Sequence, residues 1–112
     1  MQPIDHAYLS KYTFGNADLE NEVLCLFAEQ APVYLRQMRE AATEKAWREA
    51  AHTLKGSARA VGALAVAKCA ETAEMATDDC MVRETLLAET AEALATTCAY
   101  IESHCPASIK RS

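Results

Sequence analysis

Glycine and proline are scarce, three of each in 112 residues, so few positions force a helix to stop. No apolar run approaches the roughly 20 residues that cross a bilayer, and the opening MQPIDHAYLSKY lacks the basic-then-apolar order of a signal peptide. A soluble, cytoplasmic protein is therefore expected, with no membrane partner. Clustered basic residues are missing as well, apart from Lys110-Arg111, and the net charge is −5. That balance argues against nucleic-acid binding, which draws most of its affinity from cations set against backbone phosphates. The five cysteines, Cys25, Cys69, Cys80, Cys98 and Cys105, form an odd set with no CxxC pair, so neither a disulfide framework nor a zinc-finger spacing is present. They read as small apolar fillers in a reducing compartment. His6 and His104 lie near the ends without a second ligand at helical spacing, and no metal or other cofactor is expected on this chain.

What is abundant is apolar and helix-forming. Apolar residues make up 51% of the chain, with alanine leading, and this favours an all-α fold in a single domain over residues 1–112. Ile4 to about Lys11 reads as a short first helix, with Tyr8, Leu9 and Tyr12 available to pack, before a break at Gly15-Asn16. From Asn16, a good N-cap, a long helix is expected to about Ala42, its core stripe being Leu24, Phe27, Ala31, Leu35, Met38 and Ala42. Pro32 should kink it, two helices meeting near Gln30 being the alternative. A third helix starts after Thr43, buries Trp47, Ala51, Leu54, Ala58 and Val61, and ends at Gly62. A fourth spans about Leu64 to Thr77, and Asp78-Asp79 forms a turn and a cap. The last carries Leu87, Ala91, Leu94, Cys98, Ile101 and Cys105 on one stripe and stops before Pro106. Short connections between amphipathic helices favour an antiparallel four-helix bundle over residues 16–105, with the additional helix and turn in 1–15 and a flexible tail in 106–112.

The chemistry concentrates in HTLKGSARAVGA, residues 52–63. His52, Lys55, Gly56 and Arg59 fall at i, i+3, i+4 and i+7 and share one face, while Leu54, Ala58 and Val61 point the other way. An imidazole can present a neutral nucleophilic nitrogen near pH 7. A phosphoryl group placed on it would bring nearly two negative charges, which a cation one turn away can meet with hydrogen bonds. Gly56 costs about 0.5–1 kcal/mol relative to alanine inside a helix, so its place beside His52 suggests a surface that a partner must approach closely. Ser57 is expected to bond back to the Thr53 carbonyl.

This segment resembles the histidine-containing phosphotransfer (HPt) domain, whose phosphorylated helix carries H-x-L-K-G-S-A/S-x-x-x-G-A, and every specified position matches here. The stretch LCLFAEQAPVYLRQM and the helices that follow also suit that family's layout. The resemblance implies a monomeric bundle that relays phosphate between receiver domains of a multistep two-component pathway, with a histidine kinase, typically hybrid, upstream and a response regulator downstream. It implies that His52 is the phosphoacceptor, Lys55 its phosphate-stabilising neighbour with Arg59 a second candidate, and Gly56 the small residue that admits the receiver. Gln37 is a candidate for the polar residue that relatives place on an adjacent helix near the imidazole. Mg²⁺ and the accepting aspartate would come from the receiver. The chain has no glycine-rich nucleotide loop, so autonomous kinase activity is not expected. Two other readings compete: a helical interaction module that binds and regulates a receiver or kinase without accepting phosphate, and a bundle carrying the motif by coincidence. Enclosure of the His52 ring in the core would favour the last.

Overall fold

The computed structural model describes residues 3–76 and 80–104. Five helices follow in order: α1 His6–Thr13, α2 Ala17–Glu40, α3 Glu44–Ala60, α4 Leu64–Glu74 and α5 Cys80–His104, with no strand among the described residues. Helices α2 to α5 pack each against the next, and α5 closes the ring on α2, while α1 rests on α2. Only residues 41–43 separate α2 from α3, and 61–63 separate α3 from α4, so each helix must turn back along its predecessor. The result is the expected four-helix bundle with its additional N-terminal helix.

The boundaries follow from local chemistry. Asn16 accepts a hydrogen bond from the Leu19 N–H and Thr43 accepts one from the Ala46 N–H, each relieving an orphan donor at a helix start. Asp5 does the same for α1 through Tyr8, which moves that helix to His6–Thr13 from the expected Ile4–Lys11. Helix α2 runs unbroken through Pro32, so there is no junction of two helices at Gln30. Helix α3 ends in a left-handed turn: Gly62 has φ +77°, its N–H donates to the Arg59 carbonyl at 3.2 Å, and the Ala63 N–H donates to Ala58 at 2.8 Å. A side chain at Gly62 would also strike the Asp5 carbonyl, and the Asp5 N–H donates to the Gly62 carbonyl at 2.8 Å. Gly62 therefore both stops α3 and ties the N-terminal segment to it. Helix α4 stops at Glu74, short of the expected Thr77, and the expected Asp78-Asp79 turn, Cys105 and the 106–112 tail lie outside the described residues.

The core confirms the α3 stripe completely: Trp47, Ala51, Leu54, Ala58 and Val61 are all buried. In α2 the expected stripe holds from Leu24 to Met38, but Ala42 is exposed because the helix has already ended, and Ala41 packs instead. In α5 the most buried positions are Leu86, Thr90, Leu94, Thr97 and Ile101, whereas Leu87, Ala91 and Cys98 are only half-buried. Two threonines replace expected apolar positions because their hydroxyls donate back to the carbonyls of Leu86 and Ala93, leaving only methyl groups to face the core. Cys25 is buried and Cys69 and Cys98 half-buried, all as free thiols. Burial first, and then Glu89 and Glu102 respectively, pushes the Cys69 and Cys98 thiols up, which suits packing rather than reactivity.

Candidate functional site

Trp47 sets the geometry of the site. It is buried, and its indole N–H donates at 2.7 Å to the Ala73 carbonyl in the last turn of α4, which also accepts from the Ala76 N–H at 3.1 Å. Arg83 of α5 covers the indole at 5.0 Å. With Ala73 held there, the next residue, Glu74, faces the exposed side of α3.

His52 stands on that side, its side chain 66% exposed. The buried Ala51 and Leu54 hold its stretch of α3 against the core. Its Nδ1 lies 2.9 Å from one carboxylate oxygen of Glu74, and the Lys55 ammonium lies 2.6 Å from the other. The Lys55 side chain is only 16% exposed, so this cation folds down onto α4 rather than reaching into solvent. The Lys55 hydrogen bond, above all, holds the Glu74 carboxyl below the usual carboxylate range. Burial opposes this in part, and the His52 hydrogen bond lowers it further. Glu74 is accordingly ionised at neutral pH and can only accept hydrogen bonds. The proton of the neutral His52 ring must then sit on Nδ1, which leaves the lone pair on Nε2, and no hydrogen bond engages Nε2 among the described residues. A carboxylate thus selects the tautomer whose outer nitrogen is a nucleophile.

The other residues singled out in the sequence divide. Gly56 is exposed, and a Cβ built on it would meet nothing within 4 Å, so the helix surface one turn from His52 is bare. Arg59 pairs with Glu71 of α4 at 3.0 Å, one turn from Glu74. Gln37 is exposed on α2 and has no hydrogen bond to His52; the polar neighbour of the imidazole comes from α4 instead. Ser57 makes no bond to the Thr53 carbonyl, whereas Thr53 donates to the Glu49 carbonyl at 2.9 Å. His6 bonds through Nε2 to the Tyr100 hydroxyl at 2.6 Å, and the His104 side chain lies outside the described ones. Among the described residues no cluster of three or more His, Cys, Asp or Glu is arranged to hold a metal, and no helix is long and apolar enough to cross a membrane.

Sequence reasoning missed Glu74. A signal existed: an acid in the last turn of a helix opposes the macrodipole, and α4 has both Glu71 and Glu74 there with no basic residue. Extending α4 to Thr77 hid it by placing Glu74 in the helix interior. Between α2 and α3 a largely apolar crevice is lined by Val23, Leu26, Phe27, Tyr34, Ala60 and Val61 together with Gln30 and with Ser57, the residue after Gly56, and Leu26 is exposed.

Compared with known proteins, residues 22–111 match the family model of the Hpt domain. No curated protein and no solved structure matches the chain.

Proposed function

The chain belongs to the Hpt domain family, whose members carry phosphate in phosphorelays and interact there with receiver domains and kinases, and we propose that this one carries it on Nε2 of His52. In this reading the donor is a phospho-aspartyl receiver domain, typically that of a hybrid histidine kinase, and the acceptor is the aspartate of a response regulator. One observation carries it: an exposed imidazole whose inner nitrogen is fixed on a carboxylate while its outer nitrogen has no hydrogen bond among the described residues.

The step balances without a base. Nε2 attacks phosphorus, the bond from phosphorus to the receiver's aspartyl oxygen breaks, and that oxygen leaves as carboxylate. The ring keeps its Nδ1 proton and becomes cationic opposite Glu74, which supports the charge as it develops. The return step reverses these events, with a receiver aspartate as nucleophile. Lys55, released from Glu74 or shared with it, is a candidate to meet the phosphoryl oxygens, and Arg59 is the more distant one. The bare helix at Gly56 and the apolar crevice beside it suit the approach of a receiver surface. Mg²⁺ would enter with the receiver, and the chain itself would supply neither cofactor nor kinase activity. A bundle that closes its own core can act as a monomer, and the cytoplasm is where such receivers work.

Incubation with a phosphorylated receiver and Mg²⁺ should move label onto the chain, and His52→Gln should abolish it. Label that persists in His52→Gln would rule out the site, and a parent chain that binds the receiver but takes no label would turn the protein into a regulator of its partner.

A further inference from the structure

The cations named from the motif are both committed before any phosphate arrives: Lys55 to Glu74 at 2.6 Å and Arg59 to Glu71 at 3.0 Å. A third cation borders the exposed side of His52. His52 opens onto a shallow depression whose other walls are Arg48, Glu49, Thr53 and Glu74. Two of these are acids that repel a phosphoryl group, and the Thr53 hydroxyl already donates to the Glu49 carbonyl. Arg48 alone among them brings positive charge. Among the described residues its one ion pair, to Glu44, is long at 3.5 Å and about half exposed on both sides, the kind of pair that contributes little and exchanges easily. Arg48 precedes His52 by one turn, about 6 Å along the axis and about 40° around it, whereas Arg59 follows by about 10 Å. A guanidinium also offers several N–H donors in a fork that matches phosphate oxygens, and the pair with Glu44 occupies few of them.

We propose that Arg48 is a phosphate-binding residue of this site: its guanidinium turns from Glu44 to the phosphoryl group on His52, while Glu71 keeps Arg59 away. The inference rests on the carrier reading. It divides the labour among the cations, with Lys55 setting the ionisation of Glu74 and Arg48 holding the transferred group.

Phosphoramidate tests this on the full chain without a partner. Nε2 of His52 attacks its phosphorus, the P–N bond breaks and ammonia leaves, and ³¹P NMR then follows the second ionisation of the bound phosphoryl group against pH. A guanidinium in contact stabilises the dianion, so Arg48→Ala should raise that pKa by about half a unit or more. Arg48→Lys should recover most of the shift, and Arg59→Ala should leave it near the parent value. Acceptance from a phosphorylated receiver should slow about tenfold in Arg48→Ala, the effect of losing one charged hydrogen bond at a partly exposed site. An Arg48→Ala titration that overlays the parent, or an equal shift in Arg59→Ala, would overturn the assignment while leaving the carrier intact. A parent chain that gains no ³¹P signal on His52 from either donor would overturn both. Arg48 is half exposed and off the core, and unchanged circular dichroism checks that its variants fold.

Discussion

His6 and His52 each engage one ring nitrogen in a short hydrogen bond, to Tyr100 at 2.6 Å and to Glu74 at 2.9 Å, and the chemistry of the partner separates them. A tyrosine hydroxyl both donates and accepts, so it imposes no tautomer on His6, and it occupies Nε2. That bond joins the start of α1 to the end of α5, with the rings 5.9 Å apart, and its effect is to hold the terminal helix on the bundle. An ionised carboxylate only accepts, so Glu74 fixes the proton on Nδ1 of His52 and leaves the lone pair on Nε2. The same residue type is thus a structural tie in one place and, in the proposed carrier, the nucleophile in the other, and the difference lies in the neighbouring helix rather than in the histidine.

The contrast can be broken most severely at the approach to His52. Gly56→Leu should fold normally yet accept phosphate from a receiver about 100-fold more slowly, because a branched side chain displaces the partner by an ångström or more. Reaction with phosphoramidate, which needs no docking, should be nearly unchanged. Gly56→Ala should instead raise the melting temperature, by the equivalent of about 0.5–1 kcal/mol, since the added methyl meets nothing. Equal receiver transfer in Gly56→Leu and the parent would contradict this account.

Next comes Glu74. In Glu74→Gln the amide can donate or accept and no longer selects a tautomer, so transfer should fall about tenfold to 100-fold, as for other groups that orient a reacting ring. Rapid-quench measurement of label transfer decides it, and an unaltered rate would remove Glu74 from the mechanism. The same pair predicts a pH dependence. Because the folded state holds Glu74 below its ordinary range, its contribution to stability is complete above the ordinary carboxylate pKa and is lost as the pH falls through the depressed one. The difference in melting temperature between the parent and Glu74→Gln should therefore be constant near neutrality and shrink as the pH falls below the ordinary carboxylate range. A difference that grew on acidification would reverse the sign of the argument for this carboxylate. The smallest effect is expected at the other histidine: Tyr100→Phe should cost about 1 kcal/mol in chemical denaturation and leave phosphotransfer unchanged.

The fold was legible to the extent that periodicity carries it. The α3 stripe from Trp47 to Val61 and the caps at Asn16 and Thr43 were readable because each depends on spacing along one helix or on one side chain meeting its own backbone. The α5 stripe was misread where Thr90 and Thr97 enter the core, since hydropathy counts a hydroxyl as polar without knowing that the preceding turn satisfies it. At the site, the exposure of His52 and of Gly56 was legible for the same reason as the α3 core, being the opposite face of the same helix.

By itself, then, the sequence determined a five-helix chain and an imidazole on a wetted helix face beside a glycine, because helical geometry turns spacing directly into facing. Only the tertiary structure decided what the imidazole meets. The position of Glu74 depends on where α4 ends and on Trp47 holding Ala73 across the bundle, 26 residues away in the chain. No local pattern encodes that distance, and it settles which nitrogen bears the proton and which cations are already paired.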